Sequence, residues 1–569
     1  MDIPSGHGRQ PGHTHDLLFS KERNIIHDMN IIYHLRAVTL IGQICLAGAV
    51  TAPLAAAAIS LTGSGLAGCR KASRLGWASA AAAVIATIVV ALNGPYTLTL
   101  NAIHGNPVFG LIANQLTVTL LLLVCVVGAL VQSFAGRYLQ TDRSAPKFFA
   151  ATNAVVASMA IVCTSATVAL LVAAWVAAGL AFVVATGYRS ELPGVRASAR
   201  LTLKMFALGD TALVVALILI WIQAGNVSLL HPVLTASVAS RLGKLSTVIA
   251  LLVVTAALTR SAQGLLGRWM PATVSAPTPV SALLHAGVVN GGGILLLRLS
   301  ALSSNSILAM SVAFTIAILT AIVATTVMSR KADVKGSLAF STMGQMGFML
   351  AECTAGAYIA ALLHLIGHAM YKATMFFSSG SQVSRAGQAP ATPAKKVSTP
   401  VRIAATTATA TATLIIMVMV PGILTHHGEI ILLAFVAATV AAACWSWWEL
   451  CPVTPRTTIF WTIAMLGAGG LYGLAAGMLG NWIAPALPSA GSGVLSPWWL
   501  LSIVAASLAI AGVNQIPAVR NWLQALLIDI GTPSTSITGG GNQIGITGNR
   551  ENLPEYVYET SGTWSGNAA

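Results

Sequence analysis

The stretch AYIAALLHLIGHAMYKATMFFSSG, residues 357–380, is the clearest indication of the fold. It is long enough to cross a bilayer, since about 20 helical residues span the hydrocarbon core. Within it, His364, His368 and Lys372 follow one another at steps of four residues, so a helix places them on one narrow stripe. An ionisable group at the bilayer centre costs about 2.5–3.5 kcal/mol or more, and it is kept there only with partners or water. The stretch therefore predicts a membrane-spanning helix that carries part of a proton path.

Three other interpretations of the stripe stay open. The histidines could be hydrogen-bonded core residues, the lysine could snorkel to the membrane interface, or two of the groups could bind a metal. The metal site is the least favoured, because the stretch lacks the glutamate of an HExxH motif and holds no cysteine.

The composition of the whole chain is that of a polytopic α-helical membrane protein. Hydrophobic residues make up 56% of the 569 residues and charged residues only 8%, against about 25% charged in a soluble domain. Long apolar runs recur without period-two alternation, which excludes a porin-type barrel. The net charge of +15 does not indicate a nucleic-acid partner, because the basic residues lie in short loops between apolar runs. The lipid bilayer is the expected surrounding.

About fifteen spans, some of them interrupted, are predicted along the chain. Their centres fall near residues 48, 84, 122, 156, 177, 215, 253, 289, 318, 345, 368, 412, 438, 469 and 506. The expected parts are a polar leader (1–36), a transmembrane core (37–385), a cytoplasmic loop (386–402), C-terminal transmembrane helices (403–520) and a flexible cytoplasmic tail (521–569).

The distribution of Lys and Arg predicts an orientation with the N-terminus outside and the C-terminus in the cytoplasm. The loops then placed outside, at 94–109, 164–166, 300–306, 353–356 and 481–496, contain neither Lys nor Arg. Arg241, Lys244 and the basic residues of the leader oppose this arrangement.

Two further groups of polar residues fall in predicted spans. Arg260 lies at the cytoplasmic end of one span, where it could also be an interface anchor, and His285 lies in the next span, where it could also be a packing residue. Lys204 and Asp210 both enter another span, but their separation of six residues places them on different faces of a helix. Glu352 lies near the end of a span and is expected to be exposed to water.

The chain between the spans that hold Arg260 and His285 is interrupted by Pro271, Pro277 and Pro279. Breaks at membrane depth are tolerated where the backbone lines a cavity or packs against protein, so they are typical of transport machinery.

Three motifs, in this order, resemble the proton-translocating antiporter-type subunits of complex I and of Mrp antiporters. They are PTPVSALLHAG (277–287), DVKGSLAFSTMGQMGFM (333–349) and HLIGHAMYKATMFFSSGS (364–381), and the resemblance covers roughly residues 110–385. Within this superfamily, HAGVVNGGGILLLR (285–298) is most similar to DabB, the membrane subunit of the DabA–DabB inorganic carbon pumps. The resemblance implies a NuoL-like antiporter-subunit fold with about 14–15 helices, some of them broken.

The resemblance also implies a proton path made of His285, His364, His368 and Lys372. Arg260 stands where these subunits have the lysine of a glutamate–lysine pair, and Val176 stands where they have the glutamate. Arginine does not release its proton near neutral pH, so the resemblance implies that Arg260 acts as a fixed charge without that partner. Lys204 and Asp210 complete the set of candidate proton-path residues.

The implied function is that of a cation-conducting subunit in the inner membrane of a bacterium. It would couple the proton gradient to uptake of CO2 or bicarbonate by a DabA-like peripheral partner. The zinc and the hydration chemistry are expected in that partner, so no cofactor and no enzymatic activity are expected in this chain. The alternative is a proton- or Na+/H+-translocating subunit of a complex I, hydrogenase or Mrp assembly. A purely structural scaffold is the least favoured class, because it gives no reason to bury the polar stripe.

Overall fold

The computed structural model describes most of the chain between Gly12 and Leu487. The described residues are 12–63, 65–103, 106–191, 193–225, 227–229, 241–328, 333–386, 399–419 and 455–487, with the single residues 238, 331, 433, 436, 440 and 444.

The described part is a helical bundle with one small hairpin. Its helices are α1 (Gly12–Thr62), α2 (Gly65–Asn93), α3 (Gln115–Tyr138), α4 (Ala145–Thr164), α5 (Val168–Thr186), α6 (Pro193–Ala224), α7 (Leu245–Arg260), α8 (Trp269–Ala272), α9 (Thr278–Ala286), α10 (Gly291–Arg298), α11 (Ser300–Ser303), α12 (Ile307–Met328), α13 (Val334–Thr354), α14 (Tyr358–Ala386), α15 (Thr399–Val418) and α16 (Pro455–Ile483). Short 3-10 turns occupy Gly264–Gly267, Thr273–Ser275, Val288–Asn290 and Ala484–Ala486. Strands β1 (Tyr96–Ile103) and β2 (Asn106–Ala113) form an antiparallel pair.

Within the described residues, ten segments are long and apolar enough to cross a membrane. They are Leu35–Thr62, Ala67–Asn93, Gln115–Tyr138, Ala145–Thr164, Val168–Thr186, Gly194–Ala224, Leu245–Gly267, Thr278–Arg298, Ile307–Met328 and Ile459–Ala486. Each matches one predicted span, which confirms the polytopic helical fold. The predicted spans near 345 and 368 coincide with α13 and α14, which are of similar length but less apolar, and the span near 412 has only a short apolar helix, Ile403–Val418. The spans predicted near 438 and 506 lie outside the described residues.

The other predicted parts of the chain are described only partly. Residues 12–36 of the leader belong to α1, which continues without interruption into the first span. The loop is described only at residue 386 and at 399–402, and the tail at 521–569 lies outside the described residues.

One end of the bundle, which we call the hairpin end, is defined by residues 96–113, 165–167, 227–229, 299–306 and 355–357. Its backbone segments are tied together by hydrogen bonds: Ala166 N–H donates to the Gly110 carbonyl at 2.8 Å, and Leu229 N–H to the Ala166 carbonyl at 2.7 Å. The guanidinium of Arg298 donates to the Ser165 carbonyl. The described parts of four loops predicted to lack Lys and Arg, at 94–109, 164–166, 300–306 and 353–356, thus lie at this end.

The opposite end, which we call the basic end, is defined by residues 139–144, 187–191, 268–277 and 333–335. The Tyr188 hydroxyl donates to Asp142 at 3.1 Å, and Lys335 donates to the Ala276 carbonyl at 3.2 Å. Burial and the neighbouring Asp142 carboxylate raise the pKa of Tyr188, so its hydroxyl remains a donor. Asp333 caps α13 by accepting from the Gly336 N–H. Which end faces the cytoplasm stays a prediction.

Two of the spans are broken inside the bundle. The span 245–267 is interrupted after Arg260, where Ala262 has a φ of 56°, a left-handed conformation that is rare outside glycine. The span 278–298 is interrupted at Gly287, after His285. The prolines are not the breaking residues within these spans, because Pro277 precedes α9 and Pro279 lies in its first turn, where proline fits a helix.

The broken span 278–298 lies at the centre of the bundle. In the most apolar 18 residues of this span, 94% of the residues are buried. The corresponding share is 33% for Leu35–Thr62 and for Gly194–Ala224. α9 packs against α14 and α3, and α10 packs against α7 and α13. The irregular backbone is therefore enclosed by protein, as breaks at membrane depth require.

Candidate functional site: two polar clusters at the broken helices

The predicted stripe on α14 is a row of polar side chains that faces its neighbours in the bundle. The rings of His364 and His368 lie 6.4 Å apart between centroids. His368 and Lys372 are buried, whereas 21% of the His364 side chain is exposed. The row thus leads from a partly exposed histidine near the hairpin end into the protein.

Lys372 is fully buried and is held by α13. Its Nζ donates to Ser341 Oγ at 2.9 Å and to the Leu338 carbonyl at 3.3 Å. The amine ends inside the bundle on α13 and not at an exposed surface, so the snorkelling interpretation does not describe it.

His368 lies at the middle of the row, within electrostatic reach of His364, Lys372 and His285. Neither of its ring nitrogens has a hydrogen-bond partner among the residues that the structure describes. The described structure therefore does not show the hydrogen bond that the core-histidine interpretation requires, and the nitrogen that carries the lone pair in the neutral ring can accept a proton.

His285 adds a side chain from the broken span. It lies in the last turn of α9, directly before the break, and its ring stacks on Phe376 with centroids 4.7 Å apart and planes 5° apart. Phe376 follows Lys372 by four residues on the same stripe of α14. This contact brings together the four predicted members His285, His364, His368 and Lys372; with Glu352, described next, they form the cluster that we call the α14 row.

Glu352 is a member of the α14 row that sequence reasoning missed. It was expected to be exposed to water near a span end, but its side chain is only 7% exposed and its Oε2 lies 3.1 Å from His364 Nδ1. The chain turns back immediately after α13, where Ala357 N–H donates to the Glu352 carbonyl, so the last turn of α13 faces the first turns of α14. The sequence does contain a signal for this contact: a glutamate near the end of one span is followed by histidines early in the next span.

A second cluster surrounds Arg260. Its Nη2 donates to Asp210 Oδ1 at 2.8 Å and to the Trp175 carbonyl at 3.3 Å. The guanidinium carbon lies 4.3 Å from the ring centroids of Trp175 and Phe206, within cation–π range. The Trp175 indole N–H donates to the same Asp210 oxygen at 2.8 Å. We call this group the Arg260–Asp210 pair.

Two glycines leave room for the Arg260–Asp210 pair. A Cβ on Gly179 of α5 would lie 2.8 Å from Arg260 Nη2 and 3.0 Å from Asp210 Oδ2. A Cβ on Gly291, at the start of α10, would lie 3.0 Å from Arg260 Cγ. A Cβ at either position would force the Arg260 side chain to shift, so the two glycines let α5 and α10 close over the guanidinium.

Arg260 has a carboxylate partner that the sequence analysis did not identify. Val176 does leave the implied glutamate position without a charge, but Asp210 of α6 supplies a carboxylate from the neighbouring helix. Val176 and Asp210 line the same groove between α5 and α6, of about 280 Å³. Arg260 is also not an interface anchor, because it is 1% exposed.

Lys204 is the one predicted site residue that the structure does not bring to either cluster. It is exposed on α6, more than one turn before Asp210, whose described ion pair is with Arg260. Its place in a proton path stays a prediction.

The two helix breaks join the two clusters. Ser261 Oγ, from the first break, donates to the Val289 carbonyl of the second at 2.8 Å. Gln263 Nε2 donates to the Ser261 carbonyl at 2.6 Å and to the Met343 carbonyl of α13 at 3.3 Å. Because Ser341 on the same helix accepts from Lys372, these hydrogen bonds and the backbone between them connect Asp210 to Lys372.

Chemically, the site combines groups that exchange protons with one that does not. Histidine, lysine and carboxylate side chains can each take up and release a proton, and all three occur in the α14 row. Arginine stays protonated, so the Arg260–Asp210 pair acts through its charges. Among the described residues, no group of three or more His, Cys, Asp and Glu side chains is arranged to bind a metal.

Two family descriptions match the chain. Residues 165–450 match the transmembrane region of the NADH:quinone oxidoreductase/Mrp antiporter family, and residues 103–149 match the N-terminal region of complex I chain 5. The first match covers half of the chain, including both clusters.

Two curated relatives of this chain are described as probable inorganic carbon transporter subunits. The chain is 34% identical over 282 residues to the probable inorganic carbon transporter subunit DabB1 of Halothiobacillus neapolitanus, which is 48% of this chain and 50% of that protein. It is 36% identical over 263 residues to the probable inorganic carbon transporter subunit DabB of Bacillus subtilis, which is 46% of this chain and 52% of that protein. The chain thus spans about half the length of the curated relatives it matches.

A solved structure shows the same fold. The Mrp complex from Dietzia sp. DQ12-45-1b aligns with a TM-score of 0.57 at 25% identity, over 87% of this chain and 57% of that chain. Together with the broken spans and the family matches, this likeness leads to one conclusion: the chain belongs to the complex I/Mrp antiporter-type family of membrane subunits and is DabB-like within it.

Proposed function

We propose that the chain is the proton-conducting membrane subunit of an inorganic carbon transporter. The observation that carries the proposal is the α14 row. His364, His368 and Lys372 lie on one stripe of α14, Glu352 joins them from the last turn of α13, and His285 joins them from the broken span. Burying such groups in a membrane span is unfavourable, and a proton path gives the reason to keep them.

The carbon substrate and the partner are proposed from similarity. Relatives at 34–36% identity are probable inorganic carbon transporter subunits. By this likeness, proton flow through the α14 row would drive a DabA-like peripheral subunit that takes up CO2 or bicarbonate. The zinc and the hydration chemistry would lie in that subunit, and this chain would supply the energy.

The test is growth in air of a bacterium that lacks carbonic anhydrase and expresses this chain with its DabA-like partner. Lys372→Met and His368→Leu should each abolish growth in air while growth at high CO2 is kept. Lys71→Met is the matched control, because it removes a lysine from an exposed position on α2. Normal growth in air of both row variants would refute the proposal.

A second candidate is a proton- or Na+/H+-translocating subunit of a complex I, hydrogenase or Mrp assembly. The Arg260–Asp210 pair favours it, because it supplies a buried carboxylate–cation pair although the implied glutamate position is occupied by Val176. The likeness to the Mrp complex from Dietzia agrees with it. Rescue of a salt-sensitive strain that lacks Na+/H+ antiporters, without any effect on growth in air, would support this candidate over the first.

A further inference from the structure

The Glu352–His364 contact lies at the hairpin end of the α14 row. Glu352 is two residues from the end of α13, and His364 is in the second turn of α14. The 21% exposure of the His364 side chain contrasts with the burial of His368 and Lys372, so His364 is the row member nearest to solvent at that end.

The contact restricts the tautomer of His364. An ionised carboxylate only accepts hydrogen bonds, so with Glu352 ionised the 3.1 Å contact places a proton on Nδ1. The other nitrogen, Nε2, is then the one that carries the lone pair in the neutral ring. Glu352 therefore determines which nitrogen of His364 can take up a proton.

His364, when protonated, is the cation that pairs with Glu352. The described ion pair of Glu352 is with this histidine. The other titratable groups that act on the pair are His368 on α14, Cys353 on α13 and Tyr472 on α16, none of which is a fixed positive charge. A buried carboxylate without a cation is unfavourable, so a protonated His364 is the paired state of this site.

We propose that Glu352 is the positioning residue of a proton-loading station at the hairpin end, a claim that rests on the proposed proton conduction. A proton from water at that end binds Nε2 of neutral His364, and the net charge of the pair changes from −1 to 0. Transfer of one proton to His368 returns the pair to −1. Glu352 keeps Nδ1 protonated throughout by accepting its hydrogen bond.

The experiment measures proton flux driven by a pH gradient in vesicles that contain the full chain with its partner. Glu352→Gln should lower the flux about tenfold or more and change how the flux depends on the pH of the solution at the hairpin end. The reason is that the glutamine amide can also donate its N–H to the ring, so it no longer requires that Nδ1 of His364 carry the proton. Glu352→Asp should recover part of the flux. Glu191→Gln is the matched control, since Glu191 is exposed at the basic end and its described ion pair is with Arg189.

Nitrogen NMR of 15N-histidine-labelled protein gives a readout that loss of folding alone would not produce. The His364 signal, assigned with His364→Gln, should show protonated Nδ1 in the unmodified chain, and Glu352→Gln should change it while the His285 signal stays in place. Flux through Glu352→Gln equal to that of the unmodified chain, or a His364 ring protonated only on Nε2, would overturn the assignment of Glu352. Absence of flux in the unmodified chain would instead refute the proposed conduction.

Discussion

The substitution Asp210→Asn tests the Arg260–Asp210 pair, because it removes the negative charge and leaves the shape of the side chain nearly unchanged. At the observed 2.8 Å, two unit charges in an effective dielectric of about 20 attract by about 6 kcal/mol. The asparagine oxygen can still accept from Arg260 and from the Trp175 indole, which recovers about 1–3 kcal/mol. The expected loss in the free energy of unfolding is therefore about 3–5 kcal/mol, as for other buried pairs that lose one partner.

The assay is thermal unfolding of the purified chain, with proton flux in vesicles as the second readout. Asp210→Asn should lower the melting temperature by several degrees and reduce the flux. The double substitution Val176→Glu with Asp210→Asn should restore both, because Val176 lines the groove of about 280 Å³ that Asp210 also lines. This rescue returns the carboxylate to the helix where the family resemblance places it.

Two results would refute this reasoning. An unchanged melting temperature and flux in Asp210→Asn would show that the pair contributes to neither. A double variant no better than Asp210→Asn would show that the carboxylate is needed on α6 itself, and not merely beside the guanidinium.

Three further predictions concern the same two clusters. Gly179→Ala should destabilise the fold, since its Cβ would lie 2.8 Å from Arg260 Nη2, whereas Gly367→Ala, with no atom within 4 Å, should be neutral or stabilising in the same melting assay. Ser341→Ala removes the 2.9 Å partner of Lys372 and should cost about 1.5–3 kcal/mol in urea or thermal unfolding, with reduced flux. Lys372→Met should abolish flux in vesicles while the melting temperature is kept or raised, because an apolar side chain replaces a buried charge; retained flux would contradict the proton-path role.

The span pattern and the α14 row could be predicted because both depend on local sequence. Apolar runs identify spans directly, and a step of four residues places His364, His368 and Lys372 on one stripe whatever the rest of the fold does. The proline positions indicated irregular backbone near residue 277, but the breaks within the spans lie at Ala262 and Gly287.

The partners of these residues depend on helix packing, which spacing along one helix does not reveal. Asp210 and Lys204 were compared with each other because they share a span, whereas Asp210 pairs with Arg260, 50 positions away on another helix. Glu352 was assigned to water because it lies near a span end, and the tight return of the chain into α14 instead brings it to His364.

The hydrogen bond between Ser261 and the Val289 carbonyl makes the two helix interruptions mutually dependent. If residues 287–290 were straightened into continuous helix, the Val289 carbonyl would accept from its own helix and Ser261 would lose its acceptor in an apolar interior. The hydrogen bonds that Gln263 Nε2 donates to the carbonyls of Ser261 and of Met343 on α13 would then have to form with different distances and angles. Sequence changes that repair one interruption should therefore be tolerated only with a matching change at the other.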